Sequence, residues 1–184
     1  MAEEVTWGHP GALGLAGFGL NTILLQIHNL GLIPGEVALI YGFFWGGTAQ
    51  VIAGIIDGRR GDTFGLTAFT SYGLFWIGLS FIFLLKWLNV AEVTGPGLAW
   101  AFICWGIFTA YMTIGTFKIS KLHIFIFATL TILFFMLAAH FFGNIPAKPC
   151  AIEGIICGAA ATYGSAAVIM HAQFGRWILP IGLL

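Results

Sequence analysis

His9-Pro10-Gly11-Ala12-Leu13-Gly14-Leu15-Ala16-Gly17-Phe18-Gly19-Leu20-Asn21-Thr22, running on to His28-Asn29, is the stretch whose reading decides the fold. No Lys, Arg, Asp or Glu occurs between Val5 and Pro34. A helix of about 20 apolar residues crosses the roughly 30 Å hydrocarbon core of a bilayer, and this stretch is long enough. Pro10 stands where such a helix begins, a position at which its missing N–H costs nothing. A lipid-facing anchor needs only Leu, Ile, Val and Phe, yet this one carries Asn21, Thr22, Gln26, His28 and Asn29. Polar side chains at bilayer depth are costly, so they face other helices or a wet path. On a helical wheel Gly14, Phe18, Asn21, Thr22, Leu25 and Asn29 share one face, which we read as the wall of a pathway.

The rest of the chain repeats the pattern. Of its 184 residues 59% are hydrophobic and 8% charged, against about 25% charged in ordinary soluble domains. Such a chain cannot cover a water-facing surface. Its zero net charge leaves no electrostatic footprint for nucleic acid. Six segments are apolar enough to span: 11–32, 36–57, 64–85, 98–117, 121–142 and 153–174. Pro34-Gly35, Asp57 to Asp62, Thr94 to Gly97, Lys118 to Lys121 and Gly143 to Pro149 separate them. The expected fold class is therefore an all-α integral membrane protein with six transmembrane helices around a narrow pathway. Residues 1–9 form an N-terminal segment, 10–176 the membrane domain and 177–184 a tail. Glu3 and Glu4 make the start acidic, where a cleavable signal peptide is basic.

Positive charge sets the expected orientation. An even number of spans puts both termini, the 58–63 loop and the 118–121 turn on one side. That side carries Arg59, Arg60, Lys118, Lys121 and Arg176; the other carries only Lys86 and Lys148. Both termini are expected in the cytoplasm and the protein in the cell (inner) membrane. All seven Lys and Arg residues lie near segment ends. An anionic substrate would thus meet hydroxyls, amides and helix N-termini rather than a buried cation. That favours weak binding and fast passage.

Other segments offer similar faces. Segment two aligns Gly42, Gly46, Gln50, Ala53 and Asp57. The glycines suit close helix packing, Gln50 needs polar partners, and Asp57 reads as a solvated surface charge beside Arg59 and Arg60. Segment three carries Thr67, Thr70, Ser71 and Tyr72; any one hydroxyl can bond back to its own helix, but four together suggest a lined path. Segment four aligns Gly106, Thr109, Thr113 and Thr116. Segment five offers His123, Thr129, Leu130, Thr131 and His140, and a lone histidine near a helix end is more often interfacial than a proton carrier. Gly154 and Gly158 in segment six read as close packing, within or between subunits. Cys104, Cys150 and Cys157 lack metal or disulfide spacing. No catalytic triad, paired carboxylates, metal cluster or phosphate loop is visible, so neither an enzyme nor a cofactor is expected.

These stretches resemble the acetate uptake transporter family, the succinate–acetate permeases. The family signature Asn-Pro-Ala-Pro-Leu-Gly-Leu stands here as His9-Pro10-Gly11-Ala12-Leu13-Gly14-Leu15. Gly17-Phe18-Gly19, Gly46-Gly47-Thr48-Ala49-Gln50, the run Thr63 to Trp76, Gln173 to Arg176 and Leu179 to Gly182 match further. A family glutamate and asparagine in the last helix are replaced by Val168 and His171. The resemblance implies passage of acetate or a related small carboxylate such as succinate, a homo-hexamer with one path per protomer, and a constriction of Phe18, Tyr72 and Leu130. Counted from the segment starts, those three residues share a depth of about 12–14 Å, and an apolar ring there could gate by dewetting. Substrate-binding candidates are Asn21, Thr22, Gln50, Thr67, Ser71, Thr109 and Thr129. Alternatives are a channel for ammonia or undissociated acid, and a scaffold without transport.

Overall fold

The computed structural model describes residues 7–184; Glu3 and Glu4 lie outside the described residues. Six helices long and apolar enough to cross a membrane follow one another: α1 Gly11–Asn29, α2 Gly35–Arg59, α3 Thr63–Trp87, α4 Gly95–Lys118, α5 Lys121–Phe141 and α6 Ala147–Phe174. Among the described residues there is no strand, only a single bridge between Ser120 and Leu183. The expected segments are all present, with shifted ends. The last helix starts at Ala147 rather than near residue 153. Pro149 belongs to its first turn, where a proline removes no helical hydrogen bond.

Local chemistry explains the starts. The Asp62 carboxylate accepts from the Gly65 N–H, the Thr94 hydroxyl from Gly97 and the Ser120 hydroxyl from His123, each capping a helix. Helix α2 is not uniform, since Gly42–Ala49 winds as a π-helix. There the Thr48 hydroxyl donates to the Phe43 carbonyl five residues back. Such wide turns mark places where a helix is re-aimed, often at functional sites. The glycines let this stretch lie close to α1: a methyl on Gly46 would lie 3.0 Å from the Asn21 amide nitrogen.

The helices form a ring in chain order. α1 packs on α2 and α6, α2 on α3, α4 on α5 and α5 on α6. α3 and α4 meet most lightly, joined by aromatic packing of Phe75 on Phe102 and Trp105. Gly154 and Gly158 face α1 of the same chain: methyls there would run into Gln26 and the Gly19 carbonyl. The small-residue face of α6 is thus an internal contact, where two backbones approach as small residues permit.

Inside the ring lie Phe18, Tyr72, Trp76, Phe102, Leu130 and Phe134, all buried. Outside, Phe44, Leu74, Ile107, Ile132 and Ile169 are among many exposed large apolar residues. This inversion of a soluble protein's surface is what a lipid environment requires. The chain after α6 turns back instead of trailing away. The Lys121 and Leu122 N–H groups donate to the Gly182 and Ile181 carbonyls, and the Tyr163 hydroxyl donates to Pro180. Residues 177–184, expected as a tail, fold back on the start of α5 and bury Ile181.

Candidate substrate pathway

Two cavities enter the ring from opposite ends. The first, about 240 Å³, lies at the end holding the termini and is lined by Phe18, Gln50, Asp57, Tyr72, Phe127 and Leu130 among others. The second, about 90 Å³, is lined at the opposite end by Leu25, His28, Leu79, Phe102, Leu137 and His140. Three helices give the distance between them. From Phe18 to Leu25 on α1, Tyr72 to Leu79 on α3 and Leu130 to Leu137 on α5, each step from one cavity to the other is seven residues. Two helical turns are about 10 Å. Over that depth the ring is filled by Asn21, Trp76 and Phe134, exposed by 0%, 2% and 2%.

Phe18, Tyr72 and Leu130 thus stand together on the wall of the first cavity, on three different helices. Their exposures are 5%, 3% and 3%. The rings of Phe18 and Tyr72 are 5.9 Å apart, and Tyr72 also packs on Trp105, Phe108 and Phe127. The polar end of Tyr72 is fixed by a relay. Thr109 Oγ1 donates its one proton to the Trp105 carbonyl at 2.8 Å. Its 2.9 Å contact with the Tyr72 hydroxyl therefore uses the tyrosine proton, because each hydroxyl has a single hydrogen to give.

The remaining candidates divide. Gln50 lines the first cavity, and its Oε1 has no hydrogen-bond partner among the described residues. Asn21 is wholly buried between the cavities, with neither amide atom paired among the described residues. The Trp76 indole N–H is likewise unpaired at the same depth. Thr22 gives its hydroxyl proton to the Phe18 carbonyl, and Thr129 to the Phe125 and Ile126 carbonyls. Neither lines a cavity. Thr67 and Ser71 do not line either cavity; they are half-buried on the side of α3 that carries exposed Leu74. Thr109 reaches the path only through Tyr72. The hydroxyl-lined face expected along segment three is therefore not assembled, since α3 turns Tyr72 and Trp76 inward instead.

Several residues at the mouth were not anticipated. Asp57 is 3% exposed, not a solvated charge. It lines the first cavity and faces Arg60 at 3.7 Å. His9 and His123 line the same mouth, as do Trp177, Ile181 and Leu183 from the returning tail. His9 Nδ1 accepts from the Gly11 N–H. Loss of hydration, and then the Arg60 charge, pull the His9 pKa below the ordinary histidine value, although part of this residue stays exposed. The alignment of Asp57 with Gly46, Gln50 and Ala53 on one face was the local signal that α2 turns it inward; nothing local tells that the tail folds back. At the other mouth sit His28 and His140.

The comparisons with known proteins agree with this architecture. The chain is 42% identical over 181 residues to the succinate-acetate/proton symporter SatP of Escherichia coli strain K12, covering 95% of each. It superposes on a solved structure described as the bacterial acetate channel SatP with a TM-score of 0.91 and 42% identity, covering 96% of this chain and 100% of that one. It is also 29% identical to the ammonia transport outward protein 2 of Saccharomyces cerevisiae, over 91% of this chain and 63% of that protein. The model of the GPR1/FUN34/yaaH family matches residues 1–181, and the chain belongs to that family of multi-pass membrane proteins.

Proposed function

We propose that the protein is a permease or channel for acetate and related small carboxylates, with one path inside each six-helix ring. The observation that carries this reading is the pair of cavities on one axis, separated by about two turns of closed interior. Phe18, Tyr72 and Leu130 floor the first cavity and act as the constriction. Asn21 and Gln50 keep unpaired polar atoms along this axis. Unpaired buried amides normally cost about 1–3 kcal/mol; a passing carboxylate accepts from Asn21 Nδ2, while Asn21 Oδ1 and Gln50 Oε1, being acceptors, are relieved only by water or a protonated acid. Among the described residues no Lys or Arg lines either cavity. The substrate is therefore held weakly, by neutral donors, which suits fast passage rather than capture. By names, the bacterial relatives carry acetate or succinate, and that is the substrate class we assign.

The protein works as a homo-hexamer in the inner membrane with both termini in the cytoplasm. The orientation rests on the positive-charge bias and the assembly on family likeness. No step of the reading needs an enzyme activity or a cofactor.

A second reading, a channel for ammonia or undissociated acid, is favoured by the yeast relative's name and by the mostly apolar walls. Flux into liposomes separates the two. Uptake of labelled acetate well above protein-free vesicles, without a matching rise for ammonia or urea, supports the carboxylate reading. Ammonia flux without acetate flux replaces it.

A further inference from the structure

The mouth at the end holding the termini is rimmed by four pieces of chain. His9 and Gly11 sit where α1 starts, Asp62 and Gly65 where α3 starts, and Ile119 and His123 where α5 starts. The fourth piece, Trp177, Ile181 and Leu183, comes from the segment after α6 and belongs to no helix. That segment leaves α6 at Gly175, with φ of 66°, and reaches Gly182, with φ of 65°. Positive φ suits glycine, which has no Cβ to clash. A few such residues absorb the backbone rotation when a segment swings about its ends.

Between these glycines the segment is held by few contacts. The Trp177 ring stacks on His171 with centroids 4.2 Å apart. The Tyr163 hydroxyl donates to the Pro180 carbonyl at 3.0 Å. The Lys121 and Leu122 N–H groups donate to the Gly182 and Ile181 carbonyls at 2.8 and 3.1 Å. Those two N–H groups belong to the first turn of α5, where no carbonyl of the same helix can reach them. Lys121 is exposed, so water replaces the segment there and lifting it strands no buried donor. Ile181 is the segment's one buried residue, while Ile178 and Leu183 are exposed. Few buried apolar contacts and exposed hydrogen bonds are the marks of a segment that opens at low cost.

We propose that residues 177–183 form a lid over this mouth, lowered in the present structure, which must lift for solute to pass between the first cavity and the water outside. Ile181 and Leu183 line the cavity and also lie at the seat on α5. The contact that closes the lid and the contact that narrows the entrance are therefore the same. The seat is the start of the helix that carries Leu130, so the lid and the constriction share one support. The inference rests on the transport reading above.

The test locks the lid down. Ser120 and Leu183 face each other in an antiparallel bridge, where opposed Cα atoms lie about 4.5–5.5 Å apart, within reach of a disulfide. Ser120→Cys and Leu183→Cys are combined in a Cys104→Ser background, which removes the one exposed native thiol. The protein is oxidised in detergent, reconstituted, and assayed for acetate uptake before and after dithiothreitol, so each preparation is its own control. Whichever way it inserts, solute must pass this mouth. Uptake should be about tenfold lower when oxidised and restored by the reductant, because the disulfide removes the open state. A second variant moves the lid the other way. Tyr163→Phe removes one of its hydrogen bonds without touching the cavity wall. It should raise the initial uptake rate about two- to fivefold, the worth of one neutral hydrogen bond. Equal uptake in the oxidised and reduced states, or a Tyr163→Phe rate at or below the parental one, overturns the lid while leaving the transport reading intact. Absence of acetate uptake by the parent defeats the transport reading instead.

Discussion

The relay from Tyr72 through Thr109 to the Trp105 carbonyl makes opposite forecasts for two nearly isosteric changes. In the resting structure the Tyr72 proton is held by Thr109 Oγ1 at 2.9 Å. A carboxylate at the constriction must therefore win that proton from a neutral acceptor. A hydrogen bond to a charged group is worth about 1.5–3 kcal/mol net, and one between neutral groups about 1. Thr109→Val removes the competitor and returns about 1 kcal/mol to substrate binding, close to a fivefold lower half-saturating acetate concentration. The same change leaves a buried hydroxyl unpaired when no substrate is present and costs about 1–3 kcal/mol of stability. Tyr72→Phe deletes the donor, so half-saturation should rise, by up to a few-fold, with the width unchanged. Thr109→Ser keeps the relay and should resemble the parent. Acetate uptake across a concentration series, with thermal unfolding in detergent, reads all three. If Thr109→Val and Tyr72→Phe shift uptake in the same direction, the Tyr72 proton does not serve the substrate and the reasoning fails.

Other changes probe the walls and the frame. Asn21→Leu should raise stability by about 1 kcal/mol, because an unpaired buried amide is replaced by an apolar group, while acetate uptake falls; unchanged uptake would make Asn21 a packing residue. Gly158→Ala puts a methyl 2.7 Å from the Gly19 carbonyl oxygen and should cost about 1–3 kcal/mol, seen as a lower unfolding temperature. Equal stability would show that α1 and α6 can separate freely. A cysteine at Arg60 should react with impermeant reagents only from the cytoplasmic side, and labelling from outside alone would reverse the orientation.

How much was legible depends on what kind of signal carries each feature. The six spans are set by hydropathy and by breakers such as Pro34-Gly35, both local properties. Phe18, Tyr72 and Leu130 were singled out by the family resemblance, and helix rise added only that they lie at similar depth; the structure puts all three on one cavity wall. The rotation of each helix was not. Thr67 and Ser71 share a helix with Tyr72, but about a third of a turn decides which side chain meets the path. Their outward placement depends on where α2 and α4 pack. Asp57 is a different case, since its alignment with Gly46, Gln50 and Ala53 pointed inward and its charge beside Arg59 and Arg60 outweighed that signal in the reading. The return of the tail rests on carbonyls of Ile181 and Gly182 meeting the start of α5, a pairing across some 60 residues.

The central claim is that small carboxylates pass the constriction of Phe18, Tyr72 and Leu130, and Leu130→Ala tests it most directly. The change adds no polar group and removes no hydrogen bond. Leu130 is 3% exposed, so losing its buried carbons costs about 2–3 kcal/mol, at the lower end because one side already faces a cavity. Acetate and lactate uptake should be measured together on the same proteoliposomes, with unfolding temperature alongside. The account predicts a several-fold rise in lactate uptake relative to acetate. A destabilised protein with the parental lactate-to-acetate ratio would make Leu130 an ordinary core residue and contradict the account.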